Sequence, residues 1–140
     1  MEGFQITTLV IRMQKQELRR MTKAQVIQLN KDLNEGGVVI NEGNLESAIE
    51  FANLTSTPQG YASRLSYKLI EGHPFLDGNK RTGLTAALII LKDNNIEVNA
   101  NQEDKLERLA LETAQGKFKA WIQYDRKFEK IAKEKNYAYA

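Results

Sequence analysis

A histidine, an aspartate and two adjacent cations fall within one short stretch: His73, Asp77, Lys80 and Arg81. His73 is the only histidine of the chain. An imidazole suits the role of general base toward a hydroxyl nucleophile. Asp77 offers hard oxygens of the kind that hold Mg²⁺ against phosphates. Arg81 can grip a phosphate through two parallel N–H bonds, and Lys80 can meet one as a point charge. Gly78 allows a ligand to approach the backbone, and Asn79 can cap a helix or bond a phosphate oxygen. The stretch runs straight into GLTAALIIL, so these residues stand at a helix N-terminus. Unpaired N–H groups and the helix dipole attract phosphate there. Cations in a first turn oppose that dipole and make sense where an anion meets them. The parts add up to phosphoryl or nucleotidyl transfer.

Taken singly, each residue also has a plain structural reading. A histidine before proline is often a turn residue, Asp77 or Asn79 an N-cap, and Lys80 and Arg81 solvated charges. Their co-occurrence at the mouth of an apolar helix is what carries the chemical reading.

The elements that must position these residues are mostly helical. Residues 4–11, FQITTLVI, suggest a short strand. Thr22 and Gln25 make a capping box for a helix to about Leu33, which Gly36 and Gly37 end. GVVINEG, residues 37–43, reads as a Gly-bounded hairpin or flap. Asn44 is expected to cap the helix LESAIEFANL, and Pro58 to open a third helix running to Gly72. The fourth, about 79–92, is apolar nearly all round and is expected at the centre of the fold. Helices at about 102–115 and 117–135 follow, the last with Trp121, Phe128 and Ile131 on one side. The predicted architecture is mainly α: a bundle around one central buried helix, with a small β-hairpin flap. One domain spans residues 1–140, with a core of about 22–115 and flanking elements 1–20 and 117–140.

Composition limits the alternatives. With 140 residues, 41% hydrophobic and 27% charged, the chain reads as one soluble globular domain. It has no cysteine, which excludes disulfides and thiolate metal sites. No secretory leader or membrane span is apparent, so a cytoplasmic location is expected, without membrane partners. A net charge of +2 is too small to argue for nucleic-acid binding.

HPFLDGNKRT, residues 73–82, resembles the H-x-F-x-[DE]-[GA]-N-[GK]-R signature of the Fic/Doc family at every specified position. The resemblance extends more loosely over about residues 22–115. It implies a small helical fold that modifies protein hydroxyls with a nucleoside triphosphate, such as ATP, and Mg²⁺. It makes His73 the base and Asp77 the metal-linked acid. Gly78, Asn79, Lys80 and Arg81 become the phosphate cradle, and Phe75 the apolar anchor of the loop. Adenylylating Fic proteins usually carry glycine where Lys80 stands. Doc toxins carry lysine there, and their nucleotide is thought to lie reversed, presenting the γ-phosphate. Gly78, where Doc proteins often have alanine, is closer to Fic. The lysine fills space in the anion hole and weighs more, so a Doc-like kinase toxin is favoured over an adenylyltransferase.

Adenylylating members often inhibit themselves through an [ST]-x-x-x-E-[GN] helix. Here Glu35, Glu42 and Glu71 precede glycine, but Lys31, Val38 and Tyr67 stand where Ser or Thr is required. An antitoxin acting in trans is therefore expected. The resemblance also suggests a translation factor as target, with elongation factor Tu the leading candidate. Val38, Val39 and Ile40 have free strand edges suited to holding a target segment; an ordinary loop with apolar residues packed inward is the plain alternative. Neither a P-loop nor a dinucleotide fingerprint is present. A nucleic-acid-binding or regulatory helical module is the rival class, resting on Arg12 to Lys23 and on Lys117, Lys119, Arg126, Lys127, Lys130 and Lys133. Interspersed Glu129 and Glu134 favour a solvated face, and direct nucleic-acid binding is not expected. A catalytically dead Fic-fold module is opposed by the intact motif.

Overall fold

A computed structural model describes residues 17–134. The strand expected at residues 4–11 and the start of the Arg12–Lys23 basic stretch lie outside them. Helices in the described chain are α1 (Lys23–Asp32), α2 (Glu42–Asn53), α3 (Pro58–Glu71), α4 (Asn79–Asp93), α5 (Ala100–Ala114) and α6 (Trp121–Ala132). None is long and apolar enough to cross a membrane.

Local signals open most of these helices. The Thr22–Gln25 capping box forms as expected, each residue bonding the other's backbone N–H. Thr57 caps α3, and Pro58 takes the first position, where a missing N–H costs nothing. A second capping box, Asn99 with Gln102, opens α5. Buried Gln102 also donates to the carbonyls of Ile131 and Glu134, at 2.9 and 3.2 Å, fastening α5 to the end of α6. The cap of α2 is Asn41, not Asn44. Asn41 has extended backbone, so its Oδ1 reaches forward to the Asn44 N–H at 2.9 Å. Asn44 lies one turn inside and donates to the Gly72 carbonyl at 2.6 Å, tying α2 to the end of α3.

The bundle does surround a central helix, but it is α3 and not α4. Tyr61, Ala62, Leu65, Ser66, Leu69 and Ile70 are buried, and α3 packs against α2, α4, α5 and α6. Small residues let neighbours approach α3 from every side, and its buried hydroxyls find partners. Ser66 Oγ lies 2.6 Å from the Tyr124 hydroxyl, and Tyr61 bonds the backbone of Met21. Each buried leucine or isoleucine there contributes about 1.5–3 kcal/mol. Gly83 brings α4 against this helix; a Cβ there would lie 2.7 Å from Ile70 Cγ1. On its outer side α4 leaves Thr85, Leu88, Ile89 and Lys92 lining an open groove of about 690 Å³. Apolar content alone could not tell a central helix from a one-sided one.

The flap is not a hairpin. Gly36 (φ +94°) and Gly37 (φ +68°) turn the chain out of α1, and α2 begins too soon for a second strand. The extended run instead pairs with the loop before α4 through a single antiparallel bridge, Val39 to Phe75. The Leu76 N–H donates to the Val38 carbonyl at 2.9 Å, and the Ile40 N–H to the Pro74 carbonyl at 2.8 Å.

Candidate active site

The loop from His73 to Gly78 connects the central helix α3 to α4, so its ends are held by the best-packed part of the molecule. Gly72 is in the right-handed region, and the residue that turns left-handed is His73, at φ +46°. A non-glycine residue pays roughly 1–2 kcal/mol for that conformation. The turn aims the imidazole back along α3, where Nδ1 lies 2.6 Å from the Ile70 carbonyl oxygen. That oxygen can only accept, so Nδ1 carries the hydrogen and Nε2 of the neutral ring holds the free lone pair. His73 is solvent-exposed, which leaves Nε2 accessible as a proton acceptor.

Phe75 plugs the loop into the core with its side chain 1% exposed. Asn79 closes the loop over it: Oδ1 accepts the Phe75 N–H and Nδ2 donates to the Phe75 carbonyl, both at 2.9 Å. The amide thus acts as a local strand partner, and the N-cap is Gly78, in the left-handed region at φ +75° without a side-chain cap. Asn79 is the first helical residue rather than the cap.

Asp77 and Lys80 are exposed, and neither side chain has an ion-pair partner among the described residues. Arg81 is exposed and engaged: Nη1 donates to the Leu33 carbonyl at 3.1 Å and to Glu35 Oε1 at 3.5 Å. The α4 start therefore gathers an uncapped N-terminus, two cations and one free carboxylate. No cluster of three or more His, Cys, Asp or Glu side chains forms a protein cage for a metal among the described residues. A lone carboxylate fits Mg²⁺ whose other ligands are nucleotide phosphates and water.

His73, Asp77 and Gly78 lie in the loop and Asn79, Lys80 and Arg81 in the first turn of α4, and Val38, Val39 and Ile40 lie beside the loop through the bridge to Phe75. Val38 and Ile40 are exposed, at 47% and 60%, and so is Leu76 at 58%. Among the described residues, the N–H and C=O of Val39 make no backbone hydrogen bond, so one strand edge is open. Two residues at the site escape sequence reasoning. Glu35 lies over Gly78, and buried Asn30 bonds the loop from below. The available signal for Asn30 was a polar residue on the same helical face as Val26.

No curated protein matches this chain. Residues 12–91, more than half of its length, match the Fic/DOC family, covering α1 to α3, the whole loop and most of α4. The chain belongs to the Fic/DOC family, whose members use nucleoside triphosphates to transfer nucleotide-derived groups to proteins.

Proposed function

We propose that this protein is a Doc-like kinase toxin that moves the γ-phosphate of ATP to a serine or threonine hydroxyl of a target protein. The observation that carries the reading is Lys80, exposed and unpaired among the described residues in the first turn of α4 beside Arg81. A cation there works against the helix dipole unless phosphate neutralises it. In this reading its ammonium fills the space in which adenylylating relatives, with glycine, seat the α- and β-phosphates.

In this reading His73 Nε2 takes the proton of the target hydroxyl as its oxygen bonds to the γ-phosphorus. The bond from that phosphorus to the β–γ bridging oxygen breaks, and ADP leaves with that oxygen. Lys80, Arg81 and the N-terminal amides of α4 stabilise the charge on the phosphoryl oxygens. Asp77 is the residue that would hold Mg²⁺, which supplies charge neutralisation at the phosphates. The open edge at Val39 holds the target backbone, with Val38 and Ile40 beside it. The target is a translation factor, with elongation factor Tu as the first candidate, and an antitoxin supplies inhibition in trans.

Adenylylation is the second reading, favoured by Gly78. That glycine has a separate reason, however: a Cβ there would collide with Glu35. Part of the basic charge around α6 is already paired within the protein: Lys133 with Glu129, Lys105 with Glu134 and Lys117 with Glu112. The test is intact-mass analysis of purified elongation factor Tu after incubation with Mg²⁺ and ATP labelled at the α or γ position. Addition of one phosphate carrying the γ label supports the kinase; addition of AMP carrying the α label replaces it with the adenylyltransferase.

A further inference from the structure

Asn30 is fully buried on α1, and its side chain reaches three other segments. Its Nδ2 donates to the Asp77 carbonyl and to Thr82 Oγ1, both at 2.9 Å. Its Oδ1 accepts the Gly37 N–H at 2.8 Å. These partners belong to the turn that carries Asp77, the helical turn after Lys80 and Arg81, and the base of the flap. A leucine of similar size would bury as much apolar surface beside Val26. It would also leave a carbonyl, a hydroxyl and an N–H without partners, at about 1–3 kcal/mol for each buried group. Packing alone therefore does not call for an amide at this position. A single group that can donate twice and accept once does.

We propose that Asn30 is a positioning residue that locks the flap, the Asp77 turn and the start of α4 into one unit. The register between a target segment on Val39 and the phosphate cradle at Lys80 and Arg81 is then set before either ligand arrives. Val39 and Phe75 form only one bridge, too little by itself to hold an extended run in place. Asn30 supplies the missing constraint from below. The use of this register rests on the kinase reading; the lock itself is a property of the fold.

The test compares wild type with Asn30→Asp, which keeps the acceptor for Gly37 and loses both donors. Amide hydrogen exchange of the ligand-free protein is read at Leu76 and Ile40, whose N–H groups pair flap and loop. The expected result is exchange accelerated about tenfold at these two amides, with the core amides of α3 unchanged. Unchanged exchange at Leu76 and Ile40 overturns the proposal, as does equal acceleration across α3, which marks a purely structural residue. If Asn30→Asp does not fold, Thr82→Val removes one of the two acceptors, and the same pair of outcomes decides. In the γ-label transfer assay on elongation factor Tu, Asn30→Asp should lower kcat about tenfold while KM for ATP moves less than about twofold. A raised KM at unchanged kcat overturns the positioning role. Absence of transfer by wild type removes the kinase reading and leaves the exchange result to decide the lock.

Discussion

The carboxylate of Glu35 stands 3.5 Å from the guanidinium of Arg81, and its stem lies over Gly78 in the space a side chain there would fill. The loop after α1 thus places an anion where the phosphate cradle is expected to bind one. Arg81 stays 59% exposed and Glu35 24%, so the pair is partly solvated and worth only about 0.2–1 kcal/mol.

Glu35→Gln keeps the shape and removes the competing charge. ATP with Mg²⁺ should then bind about two- to fivefold more tightly by calorimetry, because Arg81 no longer exchanges one anion for another. Weaker binding would mean that Glu35 orients Arg81 for the phosphate instead.

Gly78→Ala should destabilise the protein by about 2 kcal/mol in urea unfolding. The new Cβ meets the Cβ, Cγ and Cδ of Glu35, and φ +75° is costly for alanine. A Glu35→Ala background should recover part of this loss, since two of the three colliding carbons are gone. Full additivity of the two changes would show that backbone strain alone sets the cost.

His73→Gly should separate stability from activity. It relieves a left-handed residue and loses the bond to the Ile70 carbonyl, two effects of similar size and opposite sign. Unfolding free energy should move by less than about 1 kcal/mol, while transfer falls on the order of 10²-fold or more. Retained transfer by the folded variant would remove His73 from the role of base.

A fourth expectation concerns α6, away from the loop. Asp125 is buried, with Oδ1 lacking a hydrogen-bond partner among the described residues. Burial, followed by the hydrogen bond to Asp125, pushes the Glu129 carboxyl up; Lys133 acts in the opposite direction. A carboxyl raised in the folded state contributes its full stability below its unfolded pKa and loses it as pH rises through the folded value. Asp125→Asn removes the like charge, so it should stabilise the protein by about 0.5–1 kcal/mol at neutral pH. That gain should shrink as pH falls below the ordinary glutamate pKa, about 4.3, since Glu129 then becomes protonated in the unfolded state as well. A gain independent of pH would place its origin in packing.

What the sequence alone determined is chiefly local. Thr22 with Gln25, Thr57 with Pro58, and the order of residues from His73 to Arg81 each act within about one helical turn, so their partners are written beside them. The family motif and the start of α4 were legible for that reason. Tertiary structure decided the rest. Asn30 and Thr82 are 52 residues apart, and Arg81 is 46 from Glu35, so these contacts arise only once α1 packs against α4. The same holds for the central place of α3, whose small residues and partnered hydroxyls look no more buried in sequence than the leucines of α4. The flap follows this rule too: its β-branched run was visible, but its partner is the loop at Phe75 rather than a second strand of its own. Hydrogen bonds within a turn depend on neighbouring residue types; those between elements depend on which surfaces meet when the core closes.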